Sequence, residues 1–464
     1  MPIWSRNFAR TPLILLALAE AGVVYVSVYF ACSLAFGGVQ LFEDTLGPIA
    51  PKAAAMSGVM LLSLIAMGLY QFDRRAYMHE VMVRIIVGVA IGSVVLATSY
   101  YFFPQINLEP KIAIVSILSA LTLLLVLRYG FIRYIDENVF RRRTLVFGAG
   151  GRSAAISDLR RRSDRRGFRV VGTIPAPGDT LNEDRDDLLR TSKSISEIAV
   201  EVGADEVVIA MDDRRGNLPI RELLDCKLRG IDVIDLLEFL ERETGKIEVD
   251  LVSPGWLTFS PGFRRTRLQR LLKRSMDIVV SAMALLLAWP VMFLVAIAIK
   301  IEDGNGSPVI YRQRRVGING GVFEILKFRS MNSDAEVDGK AVWAQPDDPR
   351  VTKVGAVLRK YRLDELPQIY NVFTGQMSIV GPRPERPEFV EELAEEIPYY
   401  AERHTVKPGV TGWAQLKFTY GASKDDAIEK LRYDLYYVKN NSLLLDLAII
   451  LQTVGVILWP KGTR

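Results

Sequence analysis

The chain is poor in the side chains that most often move protons or hold metals. It has two histidines, His79 and His404, and two cysteines, Cys32 and Cys226, in 464 residues. So few histidines exclude a His-rich metal centre and, in practice, a Ser-His-Asp enzyme. The cysteines make neither a disulfide framework nor a thiolate cluster, since one lies in an apolar run and the other in a soluble-looking helix. A metal here must be held by oxygen, which favours Mg²⁺ or Mn²⁺. Neither sign of charge is in large excess: 58 Lys and Arg stand against 53 Asp and Glu. With no helix-turn-helix, zinc or RNA-binding pattern either, nucleic acid is not an expected partner.

What the chain has is apolar length. Hydrophobic residues make up 50%, and the mean hydropathy is +0.18. Four apolar runs, near 12–36, 48–70, 81–103 and 111–132, each approach the ~20 residues that a spanning helix needs. The first is too long for a signal peptide and three more follow it. We therefore expect an α-helical four-helix transmembrane bundle over residues 1–140. Arg6, Arg10, Arg74, Arg75, Arg84, Arg133 and Arg141 to Arg143 mark one side, and only Lys52 and Lys111 fall in the loops on the other. Positive-inside bias places both ends of the bundle in the cytoplasm. The runs read as free of deep charges, so the bundle is expected to be an anchor without an ion path.

Residues 141–252 read as an α/β, Rossmann-like domain. Short apolar strands at Thr144–Phe147, Val170–Ile174 and Glu206–Ala210 alternate with helical patterns. Gly148-Ala149-Gly150-Gly151 opens a helix, where phosphate can bind. The dinucleotide fingerprint is incomplete: Ser153 stands at the third glycine, and the second strand ends in Pro175 rather than an acidic residue. A regulatory or scaffolding role is expected. Arg160 to Arg162, Arg165 and Arg166 read as a solvated or lipid-facing surface. A linker is expected over 251–267, with Pro254-Gly255 and Pro261-Gly262.

A third region, 267–464, opens with Arg267, Arg270, Lys273 and Arg274, preceded by Arg264 and Arg265. A fifth apolar run, 278–299, follows, and then Lys300, Arg312, Arg314 and Arg315. Both flanks are basic, and Pro290 lies mid-run, where it removes a backbone donor. A helix that enters, bends at Pro290 and returns satisfies both flanks. Leu443 to Trp459 is mostly apolar but interrupted by Asp446 and Gln452; it reads as a surface-lying helix or, almost equally, as a core helix.

The chemistry concentrates in Arg359-Lys360-Tyr361-Arg362-Leu363-Asp364-Glu365-Leu366-Pro367-Gln368, with Asn371 and then Gly381-Pro382-Arg383-Pro384-Glu385 downstream. Two adjacent carboxylates between guanidinium clusters suit chemistry on phosphate, with arginines on the anionic oxygens and a carboxylate attacking phosphorus or holding a metal. A surface ion-pair network is the plainer reading of such a stretch. The surrounding motifs favour the former: Lys273-Arg274-Ser275-Met276-Asp277, Tyr311 to Gly317, Lys327-Phe328-Arg329-Ser330-Met331, and Lys407-Pro408-Gly409-Val410-Thr411-Gly412-Trp413.

In that order these motifs resemble the catalytic core of the bacterial sugar transferases that move a hexose-1-phosphate from a nucleotide sugar to a polyprenyl phosphate. The resemblance runs from about Leu268 to the C-terminus, and the apolar N-terminus matches the long-form members in layout. It implies an α/β-mixed catalytic domain with a re-entrant membrane helix at 278–299, although this chain has Trp289-Pro290 where a Ser-Pro pair is common. It implies a UDP-sugar and undecaprenyl phosphate as substrates, and Asp364 as the nucleophile of a covalent aspartyl-phosphosugar intermediate. Glu365 is then left to place Mg²⁺ (or Mn²⁺) or to assist the acceptor. Asp364 and Glu365 are the expected metal residues; Asp334 and Glu336 are further candidates. Lys327, Arg359 and Arg383 are the implied phosphate holders, with Pro382 and Pro384 stiffening the Arg383 backbone for phosphate or uridine. Lys273, Arg274, Asp277 and Pro290 are expected to position the membrane helix at the lipid headgroups. The setting is a bacterial inner membrane, with the catalytic domain in the cytoplasm, the bilayer as a partner and a homodimer as the expected assembly. Two other readings stand beside this one. One is a membrane-anchored nucleotide-sugar dehydratase or epimerase using the glycine loop. The other is a non-catalytic scaffold for polysaccharide assembly.

Overall fold

A computed structural model of the chain describes residues 11–35, 38–67, 69–70, 78–134, 141–161, 167–179, 187–189, 193–213, 218–252, 254–260, 262–263, 266–304, 308–331, 350–418 and 423–458. Arg6, Arg10, Arg74, Arg75, Arg162, Arg165, Arg166, Arg264, Arg265, Asp334 and Glu336 lie outside these. The chain divides into two compact units, Met1–Thr244 with Val454–Arg464, and Gly245–Thr453.

The first unit begins with helices α1 (Thr11–Ala35), α2 (Val39–Leu46), α3 (Ile49–Ala66), α4 (Met78–Phe102) and α5 (Pro110–Tyr134). Four of them contain spans of membrane length, Ile14–Ala35, Ile49–Ala66, Val81–Phe102 and Pro110–Phe131. They match the four apolar runs of the sequence. Their core is a cluster of aliphatic side chains, among them Val28, Met56, Met60, Leu64, Val89 and Leu124.

The expectation that the runs hold no deep charge is wrong. Glu20 on α1 and Arg128 on α5 are 1% and 3% exposed, and Arg128 Nε lies 2.9 Å from Glu20 Oε1. Tyr70 donates its hydroxyl to the same carboxylate, and Arg128 stacks 5.1 Å over the Tyr70 ring. A buried ion pair is tolerated when both partners are matched and hydrogen-bonded. Here it joins the first span to the fourth.

A four-stranded parallel sheet follows, with strands β1 (Arg142–Phe147), β2 (Phe168–Ile174), β3 (Glu206–Ile209) and β4 (Asp232–Asp235) in the order β2-β1-β3-β4. Helices α6 (Gly151–Arg161), α7 (Ile195–Glu201), α8 (Ile220–Leu228) and α9 (Leu236–Thr244) alternate with the strands. Strands buried on both faces read as continuous apolar runs, which is why Leu145-Val146-Phe147 and Val207-Val208 stood out. β4 did not, because aspartates at both ends interrupt its pattern. Glu206 is fully buried at the edge of β3, where Arg142, Arg242 and Thr144 all bond its carboxylate.

The second compact unit begins at Gly245. Residues 245–252 pack on the rest of that unit: Trp413 Nε1 donates to Gly245 O at 2.7 Å, Lys246 pairs with Glu429, and Ile247 and Val249 join a core with Leu431, Leu435 and Tyr400. The expected linker contains helix α10 (Pro254–Phe259), with Lys439 Nζ 4.2 Å above the Trp256 ring.

Helix α11 (Arg267–Asp303) is 37 residues long and is capped by a Thr266–Gln269 capping box. The apolar stretch forms one helix that runs through Pro290, rather than two helices separated by a loop. Proline removes one intrahelical donor, and a helix bends there without ending when neighbours or solvent satisfy the freed carbonyl. After it come the antiparallel pair β5 (Ile310–Val316) and β6 (Val322–Phe328), then α12 (Lys353–Lys360) and α13 (Gln368–Thr374). β7 (Ser378–Val380), α14 (Pro387–Glu396), β8 (Gly409–Thr411), α15 (Trp413–Lys417), α16 (Lys424–Asn440) and α17 (Leu443–Leu458) complete the chain. In α17, Asp446 and Ile449 are buried while Leu444 and Leu447 are exposed. One face is therefore core, and the other is exposed and apolar.

Candidate active site

The two carboxylates lie on a short 3-10 turn, Leu363–Glu365, between α12 and α13. Arg362 precedes it at φ 55°, ψ 24°, a left-handed conformation that costs an L-residue about 1 kcal/mol or more and sharply redirects the chain. In a 3-10 turn residues i and i+3 align. Leu363 and Leu366 therefore share an edge, and both pack with Val295, Ile299, Phe328 and Leu358. Val295 and Ile299 belong to α11. The leucines on either side of the dyad thus fix it to the long apolar helix, and Asp364 and Glu365 project from the remaining edges.

The dyad's surroundings separate its two members. Glu365 Oε1 accepts from Arg383 Nη2 at 2.9 Å, and Lys327 Nζ on β6 stands 4.0 Å away. Burial pushes the Glu365 carboxyl up, but Arg383 and Lys327 together bring it below the ordinary carboxylate range. Asp364 moves the other way. Burial raises its pKa, the charge of Glu365 raises it further, and Lys327 and Arg359 only partly oppose this. Burial lowers the pKa of Lys327, with Glu365 opposing. Neighbouring acids whose environments drive them apart in this way take different roles in a reaction.

The phosphate holders expected from the sequence come together unevenly. Lys327 and Arg383 flank Glu365 directly. Arg359, in the last turn of α12, acts on Asp364 through its charge. Arg315 reads from sequence as part of a basic flank and a motif, without a site role, yet it belongs here. Its Nη1 donates to Pro384 O at 3.2 Å, its Nη2 to Gln313 Oε1 at 2.7 Å, and its charge acts on Lys327. Arg403 was missed altogether. It is buried, donating to Arg383 O at 3.0 Å and pairing with Asp434 at 2.8 Å. Pro382 and Pro384 set the turn, and Arg403 holds its carbonyl. Its one local partner is Tyr400, whose hydroxyl accepts from Nη1 at 2.7 Å, while the partners that tie it to the site are 20 and 31 positions away in sequence. Asp434 is pushed up to about 6 by burial, against the pull of Arg403. Close backbone packing completes the frame: a Cβ on Gly381 would meet Lys407 O at 2.3 Å, and one on Gly409 would meet Gly381 N at 2.1 Å. The two glycine-proline motifs are adjacent strands, β7 and β8.

Asn371 joins the dyad's helix to the lysine's strand. Its Oδ1 accepts from Leu326 N at 3.0 Å, and its Nδ2 donates to Glu324 O at 2.8 Å and to Gln376 Oε1 at 2.7 Å. Residues 324 and 326 present their backbone groups on the same edge of β6, so the amide pairs with that edge as a neighbouring strand would.

Lys273, Arg274 and Asp277, expected to position the membrane helix, find their partners within their own unit. Lys273 Nζ pairs with buried Asp446 at 2.7 Å and reaches Val380 O. Arg274 donates to the last carbonyls of α13, Val372 O at 2.8 Å and Phe373 O at 2.7 Å. Asp277 is buried and accepts from Ser378 Oγ and Ile379 N. All three fasten α11 to its own domain. Burial favours such matched partners over contact with the lipid surface.

Among the described residues no three His, Cys, Asp or Glu side chains gather to hold a metal. Asp364 and Glu365 still suit Mg²⁺, which commonly takes one or two carboxylates and completes its shell with phosphate oxygens and water. The mutual repulsion that raises Asp364 is what a cation beside it relieves.

The glycine loop of the first unit is already filled. It lies where β1 and β3 part, at the end of a parallel sheet where ligands usually bind. Asp212 Oδ2 accepts from Gly151 N at 2.9 Å, and its Oδ1 from Arg152 N at 2.8 Å. Asp179 Oδ2 accepts from Ala149 N at 2.7 Å. A Cβ on Gly150 would lie 1.9 Å from Asp212 Oδ2. The chain's own carboxylates hold the amides that a dinucleotide phosphate would need, which counts against the dehydratase or epimerase reading.

Comparison with known proteins agrees with the second unit's geometry. Residues 268–460 match the family model described as bacterial sugar transferase. The chain is 42% identical over 247 residues to UDP-N-acetylgalactosamine-undecaprenyl-phosphate N-acetylgalactosaminephosphotransferase of Aeromonas hydrophila, covering 53% of this chain and 56% of that protein. It is 37% identical over 340 residues to UDP-glucose:undecaprenyl-phosphate glucose-1-phosphate transferase of Klebsiella pneumoniae, covering 70% of this chain and 69% of that one. A protein of the same name from Xanthomonas campestris pv. campestris is 29% identical over 490 residues, covering 97% and 96%. The chain thus spans little more than half the length of the Aeromonas relative but nearly all of the Xanthomonas one.

Proposed function

Because this chain belongs to the bacterial sugar transferase family, we propose that it is an undecaprenyl-phosphate sugar-1-phosphate transferase that initiates polysaccharide synthesis. The observation that carries the reading is the split dyad: a buried Asp364 and an arginine-held Glu365, on a turn clamped to a long apolar helix. The Asp364 carboxylate attacks the sugar-bearing β-phosphorus of a UDP-sugar, the bond to the α-phosphate breaks, and UMP leaves. The acyl phosphate so formed is then attacked by the phosphate oxygen of undecaprenyl phosphate, which returns Asp364 as a carboxylate. The sugar C1–O bond is never broken, so the anomeric configuration is retained. Lys327, Arg383 and Arg359 stabilise the phosphoryl oxygens, and Arg315 and Arg403 keep the Pro382–Pro384 turn in place. Mg²⁺ (or Mn²⁺) beside Asp364 and Glu365 would supply charge neutralisation for the phosphates.

The membrane arrangement follows from α11. Asp277 and Glu302 are 25 residues apart, about 37 Å along a straight helix at 1.5 Å per residue. Both bond the same unit: Asp277 holds Ser378 and Ile379, and Glu302 accepts from Lys353 N and Val354 N. A helix crossing a hydrocarbon layer of ~30 Å would place those residues on opposite sides. We therefore read α11 as re-entrant, entering and leaving by the cytoplasmic face. The parallel sheet, with its crevice closed by Asp212, serves as a Rossmann-like scaffold.

The test is UMP release from a panel of UDP-sugars with undecaprenyl phosphate, for the wild type and for Asp364→Asn. Turnover of at least one sugar by the wild type and none by the variant is expected, since an amide forms no acyl phosphate. No UMP from any sugar would refute the assignment, and a near-normal Asp364→Asn variant would move the nucleophile elsewhere.

A further inference from the structure

The acceptor proposed above carries its phosphate on a long isoprenoid chain, and the chain must pass some surface between the bilayer and Asp364. The two helices that bracket the dyad expose four large apolar side chains. Val357 and Tyr361 lie on and just after α12, Tyr370 and Phe373 on α13, and they are 42–64% exposed. In water these positions are unfavourable, and together they leave an apolar border on both sides of a charged site. Val357 and Tyr361 are four residues apart and Tyr370 and Phe373 three, so each pair occupies one helical face.

The border continues into the membrane helix. Arg274 donates to Phe373 O at 2.7 Å. Leu271 and Ile278, at i−3 and i+4 from Arg274, share its face of α11 and are themselves exposed. On the other side of the dyad, Lys360 Nζ stands 5.5 Å over the Tyr361 ring, which sets a cation at the apolar edge. Apolar contact flanked by cations is what a polyprenyl phosphate presents in complement: a hydrocarbon chain ending in an anion.

We propose that Val357, Tyr361, Tyr370 and Phe373 form the seat along which the acceptor's isoprenoid chain lies, guiding its phosphate to Asp364. The proposal rests on the transferase reading and extends it to chain recognition. The seat distinguishes acceptors by length, because a short prenyl chain covers less of the border than a long one.

The experiment uses the full-length protein in lipid nanodiscs. Wild type is compared with Tyr361→Ser/Tyr370→Ser and with Phe373→Ser. For each, kcat/KM is measured for undecaprenyl phosphate and for a ten-carbon prenyl phosphate, along with KM for the UDP-sugar and flotation with vesicles. We expect the long-to-short preference to fall about tenfold, the size of one lost apolar anchor, with the UDP-sugar KM within twofold and flotation intact. An unchanged preference overturns the seat. So does an equal loss with both acceptors, which marks a structural or catalytic role, and so does a loss that tracks flotation, which marks simple adsorption to the bilayer. A wild type that turns over neither acceptor refutes the transferase reading itself.

Discussion

Replacing Asn371 by alanine tests whether the site is built as described. The side chain is 1% exposed and makes three hydrogen bonds, two of them to backbone groups on the outer edge of β6. Alanine leaves Leu326 N–H and Glu324 C=O facing a dry gap. Each such orphan costs about 1–3 kcal/mol, while Gln376, with a flexible side chain, recovers its bond elsewhere. A loss of about 3 kcal/mol follows, or roughly 6–12 °C in melting temperature for a unit of this size. The effect on chemistry is separate. Lys327 is one residue beyond Leu326, and once β6 is untied its ammonium drifts from Glu365 and the substrate phosphate. A displacement of about 1 Å in such a group lowers kcat by 10–100-fold. Asn371→Asp keeps an acceptor for Leu326 N–H but turns a carboxylate oxygen toward Glu324 C=O, so it should do no better than alanine. Thermal melting in detergent and UMP release measure both effects. A variant melting within 2 °C of wild type, with kcat unchanged, would show that something other than Asn371 holds β6 beside the dyad.

Four more outcomes are expected. As the proposed nucleophile, Asp364 must be ionised, and its pKa is raised above 3.8; as a proposed phosphate holder, Lys327 must be charged, and its pKa is lowered below 10.5. Activity therefore falls as pH drops through the raised value and again as pH rises through the lowered one, a narrower bell than free side chains give; limbs at the ordinary values would contradict this. Removing one partner of the Glu20–Arg128 pair should cost about 3–5 kcal/mol in the detergent-solubilised protein, and Glu20→Leu/Tyr70→Phe/Arg128→Met should recover most of it; a triple variant as unstable as the single ones would count against a matched pair. Excess chelator should silence UMP release and Mg²⁺ restore it, and full activity in chelator would exclude the metal. With Cys32 and Cys226 replaced, single cysteines at Ser260 and at Gly306, which lies outside the described residues, should both resist an impermeant thiol reagent until the cell is opened; labelling at Gly306 alone in intact cells would mean that α11 crosses the membrane.

The sequence by itself determined the elements whose signals are local. Four apolar runs give four spans, because length and hydropathy are properties of consecutive residues. The strands β1, β2 and β3 show as apolar runs, and the dyad shows as a motif. What only tertiary structure decided depends on residues brought together from far apart. The local pattern passes over Glu20 within an apolar run, and its counter-charge, Arg128, lies 108 positions away. Lys273 and Asp277 read locally as a charged flank beside an apolar run; their partners Asp446 and Ser378, far away in sequence, are set by the fold. Asp212, 60 residues beyond Arg152, closed a loop that reads as open from its glycines alone. The dyad's two roles follow the same logic. Side by side in the chain, Asp364 and Glu365 are chemically alike, and spacing on an element says only that they point apart. Arg383 and Lys327 reach Glu365 from other elements, and burial leaves Asp364 with the higher pKa. That difference comes from the fold, because the electrostatic environment of a carboxylate is set by what packs against it.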